Sequence, residues 1–171
     1  MFLGLDLGTT NVKALLVEPD GRIVARGSVP VSLRHTTDGG IEQDIEEIWR
    51  ATVAAIRVAG EHAALAQVQA VGVSSQGGAI QIRDANGRCT GPVISWLDAR
   101  GRIYDEDLYQ RKGAGWLRQC LGHEQSGVAL GQILRLQQTC PDLFKPSNIV
   151  GFVGDTIVQR LCGRGAQDCS S

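Results

Sequence analysis

The stretch FLGLDLGTTNVK, residues 2–13, constrains this chain most, because it sets a carboxylate at the end of an apolar strand and a Gly-Thr-Thr turn directly after it. Phe2, Leu3, Leu5 and Leu7, interrupted by Gly4 and Asp6, predict a strand buried on both faces. An ionised Asp6 in such a strand is costly unless paired or bound to a cation. Gly8 permits a sharp turn, after which the amides and hydroxyls of Thr9, Thr10 and Asn11 converge on an anion as a backbone nest does. Lys13, in the next apolar run from Val12 to Val17, adds positive charge to the same place. A carboxylate for a metal, with amides and hydroxyls for phosphate, is the chemistry that a nucleotide's terminal phosphates require. The plainer alternative is a hairpin whose polar turn is capped by Asp6. The order of Asp, Gly-Thr-Thr and a basic residue across two apolar strands favours phosphate.

The rest of the first third reads as a meander and a helix. Pro19-Asp20-Gly21 marks a turn into a third strand, Arg22 to Val29, giving three antiparallel strands. After Asp38-Gly39-Gly40, the residues Ile45, Ile48, Trp49, Thr52, Val53 and Ile56 share one face of a helix. Asp44 and Glu47 form its expected capping box, and Gly60 its stop. Val68 to Ser75 predicts a strand parallel to the first. Ala79 to Ile82 and Val93 to Trp96 predict two more, with an Asn86-Gly87 hairpin turn between them. Two strands thus end in polar groups, Gln76 after one, Asp98 and Arg100 after the other, and such ends are where open α/β sheets bind ligands. These groups suit sugar hydroxyls. Equally, Asp98 caps a helix starting near Ala99 while Arg100 pairs with Asp105 or Glu106. Further on, Leu130, Ile133, Leu134 and Gln137 predict a helix stopped by Pro141, and Asp155 caps one carrying Ile157, Val158 and Leu161 and ended by Gly163. Phe152 and Val153 are expected in the core.

Composition narrows the classes. In 171 residues, 17 basic and 18 acidic side chains give a net charge of −1 with no basic run, so nucleic acid is not an expected partner. No run of about 18 apolar residues and no basic leader points to a membrane span or a signal peptide. The five cysteines Cys89, Cys120, Cys140, Cys162 and Cys169 are scattered, without a Cys-x-x-Cys pair, as in reduced cytoplasmic proteins. His35, His62 and His123 are isolated and expected to be structural or surface residues.

The order Asp6-x-Gly8-Thr9-Thr10-x-x-Lys13, then Ile41-Glu42-Gln43-Asp44 with Ile48-Trp49, then Gly72-Val73-Ser74-Ser75-Gln76, then Trp96-x-Asp98-x-Arg100, resembles the N-terminal domain of the FGGY carbohydrate kinases. The resemblance is closest to the xylulose kinase-like members, clear from Phe2 to about Arg100 and weaker to the Asp155 helix. The first motif alone is also similar to heat-shock ATPases and actin-like proteins. The Glu-Gln-Asp and Trp-x-Asp-x-Arg segments do not belong to that pattern.

The resemblance implies a ribonuclease H-like α/β fold, a mixed sheet with flanking helices. It implies one domain over residues 1–171, cut short at its C-terminal end and without the second lobe. Asp6 would hold Mg²⁺. Gly8, Thr9, Thr10, Asn11 and Lys13 would contact ATP phosphates, and Gln76, Gly77, Gly78, Asp98 and Arg100 a sugar substrate. Gly77-Gly78 departs from the Met-His of xylulose kinases and the Arg-Glu of glycerol kinases, which argues against glycerol and leaves xylulose open. The general-base Asp of the family lies in a Gly-Gly-Asp-type motif that this sequence lacks; Gly151-Phe152-Val153-Gly154-Asp155 matches the helix-capping segment preceding that motif instead. The chain alone is therefore expected to be inactive and prone to self-association, with a homodimer compatible. Two other classes stay open: a non-catalytic sugar- or phosphate-binding module, and a chaperone-type ATPase fragment.

Overall fold

The computed structural model describes residues 1–166 except His62, His123, Gln125 and Ser126. His62, His123 and Cys169 therefore lie outside the described residues. In chain order the elements are β1 (Phe2–Leu7), β2 (Asn11–Val17), β3 (Ile23–Pro30), β4 (Arg34–His35), β5 (Ile41–Gln43), α1 (Ile45–Gly60), β6 (Ala70–Ser75), β7 (Ile80–Arg83), β8 (Cys89–Ile94), α2 (Arg102–Leu121), α3 (Gly127–Thr139), β9 (Ile149–Phe152) and α4 (Val153–Cys162). Two compact units form. The first holds Met1–Arg34, Gln43–Gly77 and the segment from Phe152 onward; the second holds His35–Glu42 and Gly78–Gly151.

The first unit is built on a sheet of order β3-β2-β1-β6. The Pro19-Asp20-Gly21 turn joins β2 to β3 antiparallel, and β6 returns parallel to β1, with Asp6 beside Ser74 and Leu7 beside Ser75. Leu3, Leu5 and Leu7 are buried, but Phe2 is 43% exposed and Asp6 only half-buried. The strand therefore alternates instead of being covered on both faces, and Asp6 keeps water on its carboxylate, which removes the expected desolvation cost.

Helix α1 crosses β2 and β3. Asp44 caps it by accepting from the Glu46 amide, but Glu47 does not complete the box, because its carboxylate accepts from the Ser32 amide at 3.0 Å. The buried face runs through Ile45, Ile48, Ala51, Thr52, Ala55 and Ala59, turned toward alanines relative to the predicted stripe. Trp49 is half-buried, with Arg160 over its ring. The alanines win because the helix approaches β3 closely: a Cβ on Gly27 would stand 2.0 Å from the Ala55 carbonyl oxygen. Gly27→Ala is thus expected to lower stability by about 1–3 kcal/mol or more, because the obstacle is backbone, and urea unfolding reads it. A change below the error of that measurement would place the helix farther from the sheet.

In the second unit the sheet order is β4-β5-β8-β7-β9. The Asn86-Gly87 turn closes the β7–β8 hairpin, with Arg83 opposite Cys89. Pairing starts directly after the turn, so β8 begins earlier than predicted and ends before Ser95 and Trp96. Helix α2 is interrupted at Gly113, whose φ is 75°. The helix around Leu130 forms as α3, and Gly131, Gln132 and Leu136 are buried, whereas Leu130, Ile133 and Leu134 of the predicted stripe are half-buried and Gln137 is exposed. In the first unit, α4 follows Phe152 directly. The Asp155 carboxylate, 6% exposed, accepts from the Phe152 amide, and Gly163 ends the helix in the left-handed conformation.

Candidate functional site

The turn after β1 is tight for a steric reason. The Gly8 amide donates to the Asn11 carbonyl at 3.1 Å, and a Cβ on Gly8 would lie 2.8 Å from that same oxygen. Thr9 and Asn11 are half-buried and Thr10 exposed. Asp6 and Lys13 face each other in register across β1 and β2, Nζ to Oδ2 at 3.5 Å, with about half of each side chain exposed (50% and 56%). A single half-exposed carboxylate beside a movable ammonium and a tight polar turn is a donor set for a cation that also rides on phosphate oxygens. Among the described residues no cluster of three or more His, Cys, Asp or Glu could enclose a metal by itself.

Gln76, at the end of β6, is hydrogen-bonded to this turn. Its Oε1 accepts from the Thr9 hydroxyl at 3.2 Å, its amide N–H donates to the Leu7 carbonyl, and its Nε2 donates to Gln43 Oε1 at 2.7 Å. Gln43, 3% exposed, donates through Nε2 to the carbonyls of Thr9 (3.0 Å) and Ser32 (3.4 Å). The parallel register of β1 and β6 brings Thr9 and Gln76 together. Gly77 ends the Gln43–Gly77 segment of this unit with open space around its Cα, since a Cβ there would meet nothing within 4 Å. Gln43 was visible in the sequence only as part of the Glu42-Gln43-Asp44 motif. Glu42 and Gln43 are both buried polar residues of β5, a strand that no sequence pattern predicted.

Gly78, Asp98 and Arg100 lie in the second unit. The Asp98 side chain has no exposed surface. It accepts from the Ile41 amide (3.0 Å), the Arg100 amide (2.9 Å), Gln132 Nε2 (2.8 Å) and Arg100 Nη2 (2.6 Å). Asp98 thus caps its own turn, as one sequence reading had it. Arg100 turns to Asp98, Asp38 and Glu42, not to Asp105 or Glu106. Trp96 beside them is 44% exposed.

Burial alone would raise the Asp98 pKa, but the bonds from Arg100, Ile41 and Gln132 outweigh it and hold the carboxyl below its usual value. The Thr36 hydroxyl, then Arg100, hold Asp38 down from 3.8 to about 2. Both folded pKa values are depressed, so the stability they contribute is complete above the ordinary carboxylate range and drains as pH falls through the folded values. For Asp38 that window is 3.8 down to about 2. Urea midpoints followed by Trp96 and Trp116 fluorescence should fall across it, less steeply in Asp38→Asn; an unchanged slope in that variant would remove Asp38 from the network.

A ribonuclease H-like sheet whose first hairpin carries Asp-x-Gly-Thr-Thr defines the class, that of the actin, sugar-kinase and heat-shock ATPase superfamily. Within that class the chain belongs to the FGGY family of carbohydrate kinases, whose N-terminal domain model matches residues 1–171. It is 29% identical to the xylulose kinase of Escherichia coli (strain K12) over 171 residues, covering 99% of this chain and 35% of that protein. It is 37% identical to the apulose kinase of Pectobacterium atrosepticum over 109 residues, 63% of this chain and 22% of that protein. The crystal structure of xylulose kinase from Rhodospirillum rubrum superposes with a TM-score of 0.85 at 23% identity, over 98% of this chain and 35% of that one. The chain spans about a third of the length of the xylulose kinases it matches. Among the described residues no helix is long and apolar enough to cross a membrane.

Proposed function

We propose that this chain is the phosphate-holding N-terminal part of an ATP-dependent carbohydrate kinase, which transfers the γ-phosphoryl group of ATP to a hydroxyl of a ketose or polyol and works in the cytoplasm. One observation carries the reading: the Thr9 hydroxyl and the Gln76 amide are bonded directly. The turn suited to phosphate and a strand-end amide suited to a hydroxyl are thereby held one hydrogen bond apart, the proximity that transfer between two bound molecules needs.

In this role Gly8 shapes the turn, the polar groups of Thr9, Thr10 and Asn11 and the Lys13 ammonium would hold phosphate oxygens, and Asp6 would supply the protein carboxylate for Mg²⁺, a donor set that fits. When bound, Mg²⁺ neutralises charge on the transferring phosphoryl group. Lys13, released from Asp6, reaches the phosphates. Gln76 keeps one Nε2 proton and one Oε1 lone pair for a sugar hydroxyl, and Gly77 leaves room for a bulkier sugar than a side chain would admit. Within the second unit taken by itself, Asp98 holds Arg100 in place, and Arg100 is the polar group there suited to a sugar hydroxyl; Gly78 adds no side chain. Asp155 is not assigned as general base, since its carboxylate accepts from the Phe152 amide and the Thr156 hydroxyl.

Transfer from Mg-ATP to a panel of ketoses, aldoses and polyols, measured on the natural gene product, tests the reading. Sugar-dependent ADP release identifies the substrate. ATP hydrolysis indifferent to sugar would point to a chaperone-type ATPase, and saturable sugar binding without turnover to a binding module.

A further inference from the structure

The phosphate turn, β6 and the start of α1 meet at a side chain that nothing in the foregoing function uses. Gln43 is 3% exposed, yet it makes three hydrogen bonds through a group that a buried position does not require. Its orientation is unambiguous. Both partners of Nε2 are backbone carbonyls, of Thr9 and Ser32, and carbonyls only accept, so Nε2 must face them and Oε1 must face Gln76. That acceptor compels Gln76 to present Nε2 to it, and Gln76 Oε1 then faces the Thr9 hydroxyl and accepts its hydrogen bond.

We propose that Gln43 is a positioning residue that ties the Thr9 turn to Ser32 and fixes the donor and acceptor sense of Gln76 and Thr9 for a phosphorylated, hydroxylated ligand; the ligand part rests on the function proposed above. Without Gln43, the Gln76 amide rotates freely by half a turn, and the Thr9 hydroxyl then faces an N–H that it must accept from instead of an oxygen that it donates to. The hydrogen-bond sense presented to ligand is lost, although no residue that touches ligand has changed.

The test uses the 171-residue chain, with Mg²⁺ and inorganic tripolyphosphate as the probe. Gln43→Met keeps the volume and removes both polar atoms; Gln43→Glu keeps the acceptor for Gln76 but turns a second oxygen on the Thr9 and Ser32 carbonyls. In the wild type one Gln76 side-chain proton should exchange slowly by NMR. It should become solvent-like in Gln43→Met and persist in Gln43→Glu, while the Thr9–Asn11 amides shift in both. Tripolyphosphate binding should weaken about tenfold or more in each variant with the remaining sheet resonances in place. Wild-type-like binding in both, or a Gln76 side-chain amide in the wild type that exchanges as in water, would overturn the assignment. If the wild type binds no tripolyphosphate, the phosphate reading fails and the Gln76 and Thr9–Asn11 resonances alone decide on Gln43. If Gln43→Met does not fold, the wild-type resonance and Gln43→Glu decide it.

Discussion

Asp98→Ala should destabilise the second unit by about 3–5 kcal/mol, the range for removing one partner of a buried ion pair and leaving the other charge behind. The effect is large because of what is left behind. Among the described residues Arg100, 16% exposed at its side chain, would retain Asp38, 62% exposed, and Glu42 as counter-charges. The Ile41 amide and Gln132 Nε2 would lose their shared acceptor, although Gln132 also donates to the Asp98 carbonyl at 2.7 Å. Asp98→Asn should do less harm, since it keeps the volume and one acceptor. Trp96 and Trp116 report on the second unit and Trp49 on the first, so segment-resolved hydrogen exchange or single-Trp fluorescence locates the loss. Pairing Asp98→Ala with Arg100→Met should recover part of it, because the orphaned charge goes too. A loss below about 1 kcal/mol would mean that water reaches the pair, and that Asp98 is available to ligand after all.

What the sequence made legible was local. The β1–β2 hairpin, the Pro19-Asp20-Gly21 and Asn86-Gly87 turns and the Gly163 stop each follow from residues close together in the chain, and the parallel return of β6 from the general rule for a strand that follows a helix back into a sheet. The errors came where distant residues decided. Glu47 looked like the second half of a capping box, but Ser32 offered it another amide. The face of α1 turned toward Ala51 and Ala55 because Gly27, on another strand, admits the helix backbone. For Asp98 the capping alternative holds, whereas Arg100 turns from the expected Asp105 or Glu106 to Asp38, Glu42 and Asp98. Their partners Asp38, Ile41 and Gln132 lie 34 to 62 positions away, beyond any local pattern. The candidate site followed the same division: Asp6, the Gly-Thr-Thr turn and Gln76 are proposed from motif order, whereas Gln43 stands out only through its bonds to Thr9, Ser32 and Gln76.

Asp6→Asn should separate activity from folding more sharply than any other substitution in this chain. The carboxylate is half exposed and its ion pair with Lys13 is long, so its removal should change stability by less than about 1 kcal/mol. In the reaction proposed here, the same change removes the protein's charge for the cation and lets Lys13 sit wherever the field of the phosphates takes it. Phosphoryl transfer should fall by about 10²–10³-fold or more, the size of effect seen when one preorganised electrostatic contact is removed from a transition state. Because the contact forms through the phosphates, the loss should appear in kcat with MgATP saturating, while the KM for sugar moves little. Mn²⁺ bound with ATP and followed by its relaxation effect on water gives a reading independent of turnover, and Asp6→Asn should weaken that ternary signal. Turnover within about tenfold of the wild type, with the Mn²⁺ signal intact, would take the cation away from Asp6. The β1–β2 register would then mean only that Lys13 and Asp6 neutralise each other on an open face of the sheet, and the turn beside them would have to hold phosphate through its amides alone.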